Sequence, residues 1–209
     1  MAIRKKTSVV STKDAVFASA ASLFSAHGFN GVSTEDIAAD AGVNKAMIYY
    51  HFTDKLALYR AVVCEGLQAM SETAGAIAAS AQTPQKKLDA FIAAFVRMTE
   101  TRPWMPAIML REIAEGAPRL DPETLSHMRG VIASFGAILK QGQQAGIFRA
   151  IHPILAYESV VGPIIINAAR ERVASQPERK NLDLPLLVSI SHADVIVHSQ
   201  EAARRMLAP

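Results

Sequence analysis

Apolar residues recur along most of this chain at the spacing of a helix rather than a strand. From Thr12 to about His27 the positions Val16, Ala20, Leu23 and Phe24, widened by Phe17, mark one face of a first helix, with Thr12 as its cap. Thr34 is placed to cap a second, with Glu35 and Asp36 in its acidic first turn and Ile37, Ala38 and Ala41 on its apolar side. Gly42 ends that short helix, Val43 plugs the angle that follows, and Asn44 restarts the chain as a helix to about Phe52. Two short helices joined in this way have helix-turn-helix geometry.

The pattern continues after Asp54, which caps a helix predicted to reach about Ser80 along Leu56, Tyr59, Val63, Leu67, Met70 and Ile77. At about 1.5 Å per residue this rod is roughly 40 Å long. A cap followed by proline at the first helical position opens two more helices, at Thr83–Pro84 and at Asp121–Pro122, the second reaching about Ala145. A shorter helix covers about Trp104 to Glu115 and stops at Gly116. His152 and Pro153 introduce another to about Ala174, whose stretch VVGPIII is apolar on every side and therefore needs partners on two faces. Residues 176–185 read as a charged, proline-bounded loop, and Ser191 as the cap of a last helix ending near Leu207 with Ala193, Ile196, Val197 and Ala203 inward. The expected fold is all-α with about nine helices: a three-helix unit over residues 1–62 and a larger helical unit over residues 63–209.

The third short helix shows what the first unit is for. Once Ile48 and Phe52 turn inward, four apart on one face, Lys45, Ala46, Met47, Tyr49 and Tyr50 are left outside. In a DNA major groove Lys45 can donate to guanine, Ala46 or Met47 can touch a thymine methyl, and the two phenols can reach phosphate. Asn44 sits at the same edge. Thr34 adds a hydroxyl at a helix N-terminus, and His51 either bonds a phosphate or satisfies a helix end. Lys55, a cation in a first turn where the macrodipole disfavours it, is explained by an adjacent phosphate.

These residues resemble a known family. GVNKAMIYYHFTDKLALYRAV is similar to the recognition segment of the tetracycline-repressor (TetR) family, and the likeness extends back through AVFASAASLFSAHGFNGVSTEDIAADAG to cover roughly residues 12–62. The remainder is similar only in layout. The resemblance implies a homodimeric, all-helical transcription regulator, most simply a repressor, that binds a pseudo-palindromic site on double-stranded DNA. It also implies a C-terminal unit that binds a small apolar or amphipathic effector and thereby loosens the grip on DNA. The alternative is a helical protein-interaction module that has kept the scaffold and lost DNA binding.

Composition narrows the remaining classes. Hydrophobic residues make up 50% of the 209, ample for a core, and the net charge of +3 is too small to read as a general affinity for polyanions. Local charge matters more, since Arg4, Lys5, Lys6 and Lys13 form a basic arm without an acid. The lone Cys64 excludes an internal disulfide and suits the cytoplasm, while the longest apolar run falls far short of the ~20 residues that cross a bilayer, so no membrane association is expected. No histidine spacing suits a metal, Cys64 reads as a packed thiol far from the histidines, and neither a phosphate loop nor a nucleophile motif is present. The expectation is therefore no enzyme, no metal and no cofactor other than an effector. The flexible and aromatic residues of the second unit point to an apolar effector pocket, for which Met70, Phe91, Phe95, Met98, Trp104, Met105, Met109, Met128 and Phe135 are candidate walls. Arg111, Glu112, His127, Tyr157 and Asn167 are candidate polar groups to orient the ligand.

Overall fold

The computed structural model describes residues 11–174 and 188–209. The expected loop at 176–185 and the arm residues Arg4, Lys5 and Lys6 lie outside the described residues. Within them every regular element is an α-helix: α1 (Thr12–His27), α2 (Thr34–Asp40), α3 (Lys45–His51), α4 (Lys55–Ala79), α5 (Pro84–Thr101), α6 (Met105–Glu115), α7 (Pro122–Gln144), α8 (Pro153–Ala174) and α9 (His192–Leu207). The chain divides into two compact units between Val62 and Val63, within α4.

Local chemistry accounts for most helix ends. Asn44, Thr83, Asp121 and Ser191 each accept a backbone N–H from the first turn that follows, and Asp54 accepts from Ala57 N–H at 2.7 Å. Two caps differ from expectation by one residue. Ser11, not Thr12, caps α1, and Ser33, not Thr34, caps α2. At α2 the reason is a reciprocal pair: Ser33 Oγ accepts from Asp36 N–H at 3.1 Å while Asp36 Oδ2 accepts from Ser33 N–H at 2.8 Å. A cap at Thr34 would leave both bonds unmade. The end of α2 is a Schellman turn, with Val43 N–H donating to Ala38 O at 3.0 Å and Gly42 N–H to Ala39 O at 3.2 Å. Gly42 takes the left-handed conformation, φ 65°, that this turn demands.

The first unit closes over Val16, Ala20, Phe24, Ile37, Ile48, Leu58 and Tyr59, all buried. Small residues, Ser19, Ala21 and Ser25, share the inner face of α1, while Phe17 and Leu23 are only partly covered, so α1 approaches its neighbours closely. Tyr59 meets the edges of Phe24 and Phe29 with ring centroids 5.0 and 5.2 Å apart.

In the second unit α5 is central and packs on α7, α8 and α9. Its Leu88, Phe91, Ile92, Phe95 and Val96 are buried in one cluster with Val131, Phe135, Ile138 and Leu139 of α7 and Val160, Val161 and Ile164 of α8. Polar ties fix the rim. Lys87, almost fully buried, donates to Ala78 O and Gln141 Oε1, each at 2.8 Å, and Arg204 of α9 grips Asp89 of α5 through two bonds of 3.1 and 2.7 Å. The stretch VVGPIII of α8 is apolar on every side, as the sequence reads, but only part of the helix is covered. Leu155 and Ile166 remain 57% and 60% exposed, so one apolar face has no cover among the described residues.

Candidate nucleic-acid interface and effector cavity

α3 is anchored by one side chain, since Ile48 alone among its residues is buried. Phe52, in extended conformation just past its end, supplies the second inward contact at 8% exposure. Asn44, Ala46, Tyr49 and Tyr50 are exposed, Tyr50 the most at 79%, with Lys45, Met47 and His51 partly covered around them. The face is organised by its own contacts. Lys45 Nζ is ion-paired with Glu35 of α2 and lies 5.6 Å from the Tyr49 ring centroid. That pairing lowers the Glu35 carboxyl below its ordinary range and raises the Lys45 ammonium. Thr34, the first residue of α2, is buried, donates to Glu35 Oε2 at 3.0 Å and sits 3.4 Å from the Tyr49 hydroxyl. Its hydroxyl thus supports the Glu35 side chain that steers Lys45.

Two cations have partners within the chain. The Lys55 ammonium donates to Phe29 O at 3.1 Å and Val32 O at 2.9 Å and lies 4.2 Å from the Phe29 ring centroid. Those carbonyls hold a lysine in the first turn of α4 in place without DNA. Lys13, read as part of the basic arm, is already within α1, its ammonium 6.0 Å from the Phe52 ring centroid. His51 stands edge-on to Tyr50, with Nε2 buried and lacking a hydrogen-bond partner, so that nitrogen does not face the exposed surface.

The second unit holds an apolar cavity of about 220 Å³ among α4, α5, α6, α7 and α8. Of the candidate walls, Met70, Phe95, Met98, Met105, Met109 and Met128 line it. Phe91, Phe135, Trp104, Asn167, Arg111 and His127 lie elsewhere. Phe91 and Phe135 are fully buried with centroids 5.3 Å apart, filling the core that the cavity adjoins. Trp104 precedes α6 and packs on Gly66, whose hydrogen leaves the room a methyl would take. Asn167 accepts from Arg170 at 3.0 Å, and Arg111 stands near Arg172, lowering the latter's pKa after the larger effect of burial. His127 lies beside Cys64 and Glu123. Of the polar candidates, Tyr157 reaches the cavity wall, with Glu158 beside it. Burial pushes the Tyr157 phenol up to about 12, so it enters the site as a neutral group able to donate. Tyr157 touches both Phe95 and Phe135, at 6.5 and 5.6 Å between centroids, a placement that depends on how α8 packs and not on local pattern.

The pattern that defines the bacterial regulatory proteins of the tetR family matches residues 16–62. The chain is 27% identical over 157 residues to the HTH-type transcriptional regulator RutR of Escherichia coli, covering 72% of this chain and 70% of that one. Over 47 residues, 22% of this chain and 25% of the relative, it is 40% identical to IcaR of Staphylococcus aureus, an HTH-type negative transcriptional regulator. Among solved structures, the ketosteroid transcriptional regulator KstR2 of Mycobacterium tuberculosis superposes over 99% of this chain and 100% of that one, with a TM-score of 0.77 at 17% identity. At that identity the likeness is one of fold. Among the described residues no helix is long and apolar enough to cross a membrane.

Proposed function

We propose that this chain, whose residues 16–62 match the tetR family of bacterial regulatory proteins, is a helix-turn-helix transcriptional regulator that works as a dimeric repressor released from operator DNA by a small apolar effector. The observation that carries the reading is α3, a helix held by Ile48 alone that presents a cation and two phenols outward. Such a surface fits a major groove, where Lys45 exchanges Glu35 for a guanine edge or a phosphate and Tyr49 and Tyr50 reach the backbone. The apolar face left bare on α8 fits a second copy, and two copies would place their recognition helices about 34–36 Å apart on a pseudo-palindromic site.

The cavity supports the effector half of the proposal. Its wall is mostly thioether and aromatic, with Tyr157 as the neutral donor, so it suits a compact apolar molecule carrying one acceptor. An effector can shift the equilibrium only by its differential affinity for the conformers that do and do not fit DNA. α4 lines this cavity with Leu67 and Met70 and begins at Lys55 in the DNA-reading unit, so one helix belongs to both halves of the molecule.

Selection of bound fragments from the source genome, followed by titration at rising salt, tests the first half. A repressor making 6–10 phosphate contacts should lose about 10³–10⁵ in affinity between ~50 and ~200 mM salt. A protein that ignores every fragment at low salt would instead be the helical interaction module. Met109→Trp, which fills the cavity from its wall, tests the second half: operator affinity should fall about 5- to 150-fold, the usual range of allosteric coupling, with helicity retained.

A further inference from the structure

Among residues that do not line the cavity, α7 meets α4 at a cluster of side chains that neither DNA reading nor an apolar effector uses. Glu123 and His127, four apart near the start of α7, share one helix face. The Cys64 thiol of α4 joins them, and one ligand atom from each residue, a sulfur, a carboxylate oxygen and an imidazole nitrogen, lies within 4.8 Å of the other two. The sequence places Cys64 and His127 far apart, and folding brings them together.

We propose that Cys64, Glu123 and His127 form a binding site for a borderline divalent transition metal, Zn(II) before others, with water as the fourth ligand. Bonds of about 2.0–2.3 Å in a tetrahedron set neighbouring ligand atoms roughly 3.3–3.8 Å apart, so closure needs movement on the order of 1 Å. Rotation of partly exposed side chains supplies that. Cys64 and His127 are half-buried and Glu123 is exposed, which leaves an entry path and room for water. A thiolate disfavours Mg(II) and Ca(II), and imidazole with carboxylate suits zinc.

A second observation points the same way. The Thr124 hydroxyl is fully buried, meets no nitrogen or oxygen partner, and is turned to the Cys64 sulfur, whose pKa it lowers in part against the larger effect of burial. A neutral thiol is a weak acceptor, whereas a metal-bound thiolate accepts well and would satisfy this donor, the supporting role that outer groups play around metal ligands. Burial first, and the negative charges of Glu123 and Asp121 after it, push the free thiol up. The same carboxylates attract a cation. Binding therefore releases the thiol proton to solvent and ties α4 to α7 through one ion.

The inference uses neither the cavity nor α3, so it stands or falls apart from the proposed function. The test is titration of reduced, metal-free, full-length protein with Co(II). Because Cys64 is the only cysteine, a sulfur-to-cobalt charge-transfer band in the near ultraviolet reports this site alone. The expected result is that band at one equivalent per chain, with tetrahedral ligand-field absorption, displacement by Zn(II) and indifference to excess Mg(II). Cys64→Ser should abolish the band, and His127→Ala and Glu123→Gln should each weaken Zn(II) binding at least about tenfold. Glu123 is exposed, so its variant keeps the fold even if another does not, and circular dichroism checks each. Cobalt binding with no charge-transfer band, or Zn(II) affinity unchanged in Glu123→Gln and His127→Ala, overturns the proposal.

Discussion

The two units of this chain use large flexible and aromatic side chains in opposite ways. In the first, Phe24, Phe29 and Tyr59 interlock and fasten Lys55, while Tyr49 and Tyr50 are exposed on α3. In the second, Phe91 and Phe135 fill a tight core, but the methionines beside them line open space. The difference teaches where adaptability is kept: a DNA-reading surface needs rigid support behind a helix, whereas a ligand site needs walls that can move.

The largest effect expected from breaking that contrast lies in the second unit. Phe91→Ala should cost about 3–5 kcal/mol in urea unfolding because it empties a close-packed site, while Met109→Leu on the cavity wall should cost less than about 1.5 kcal/mol. Equal costs would mean that the wall is as tightly specified as the core.

Next come the two lysines of the first unit. Lys55→Ala removes an ammonium that holds two carbonyls and a ring, and should lower stability by about 1.5–3 kcal/mol. Lys45→Ala should leave the melting temperature unchanged and reduce the salt slope of DNA binding by about one contact. The reverse result would remove the distinction between a supporting and a reading cation. Tyr50→Ala should be silent in unfolding and weaken operator binding by about 1–3 kcal/mol, measured by fluorescence anisotropy.

The smallest effect is one of pH. The Tyr157 phenol ionises near 10 when unfolded and near 12 when folded, so the folded state holds its proton longer. Its contribution is fully present below pH 10 and is lost as pH rises towards 12. Tyr157→Phe should flatten that alkaline limb, and an unchanged limb would place the phenol in contact with water.

Much of the fold was legible because helix ends are written locally. Asn44, Asp54, Thr83, Asp121 and Ser191 cap the helices that their neighbours announce, since a cap involves atoms within three residues. Adjacent hydroxyls were the exception: between Ser33 and Thr34 the choice turned on Asp36, which bonds back to Ser33 in both directions. Of the candidate walls, Met70, Phe95, Met98, Met105, Met109 and Met128 line the cavity. Phe91 and Phe135 share their chemistry and differ only in depth, which periodicity along one helix does not encode.

The amino-acid order alone determined the helices, their caps and the outward character of α3, because each depends on contacts within a turn or two of chain. Tertiary structure alone decided that Lys55 bonds Phe29 and Val32, that Tyr157 rather than Arg111 or Asn167 serves the cavity, and that Cys64 stands beside His127. Those relations join residues from different helices, and the packing that sets them is a property of the whole core rather than of any segment within it.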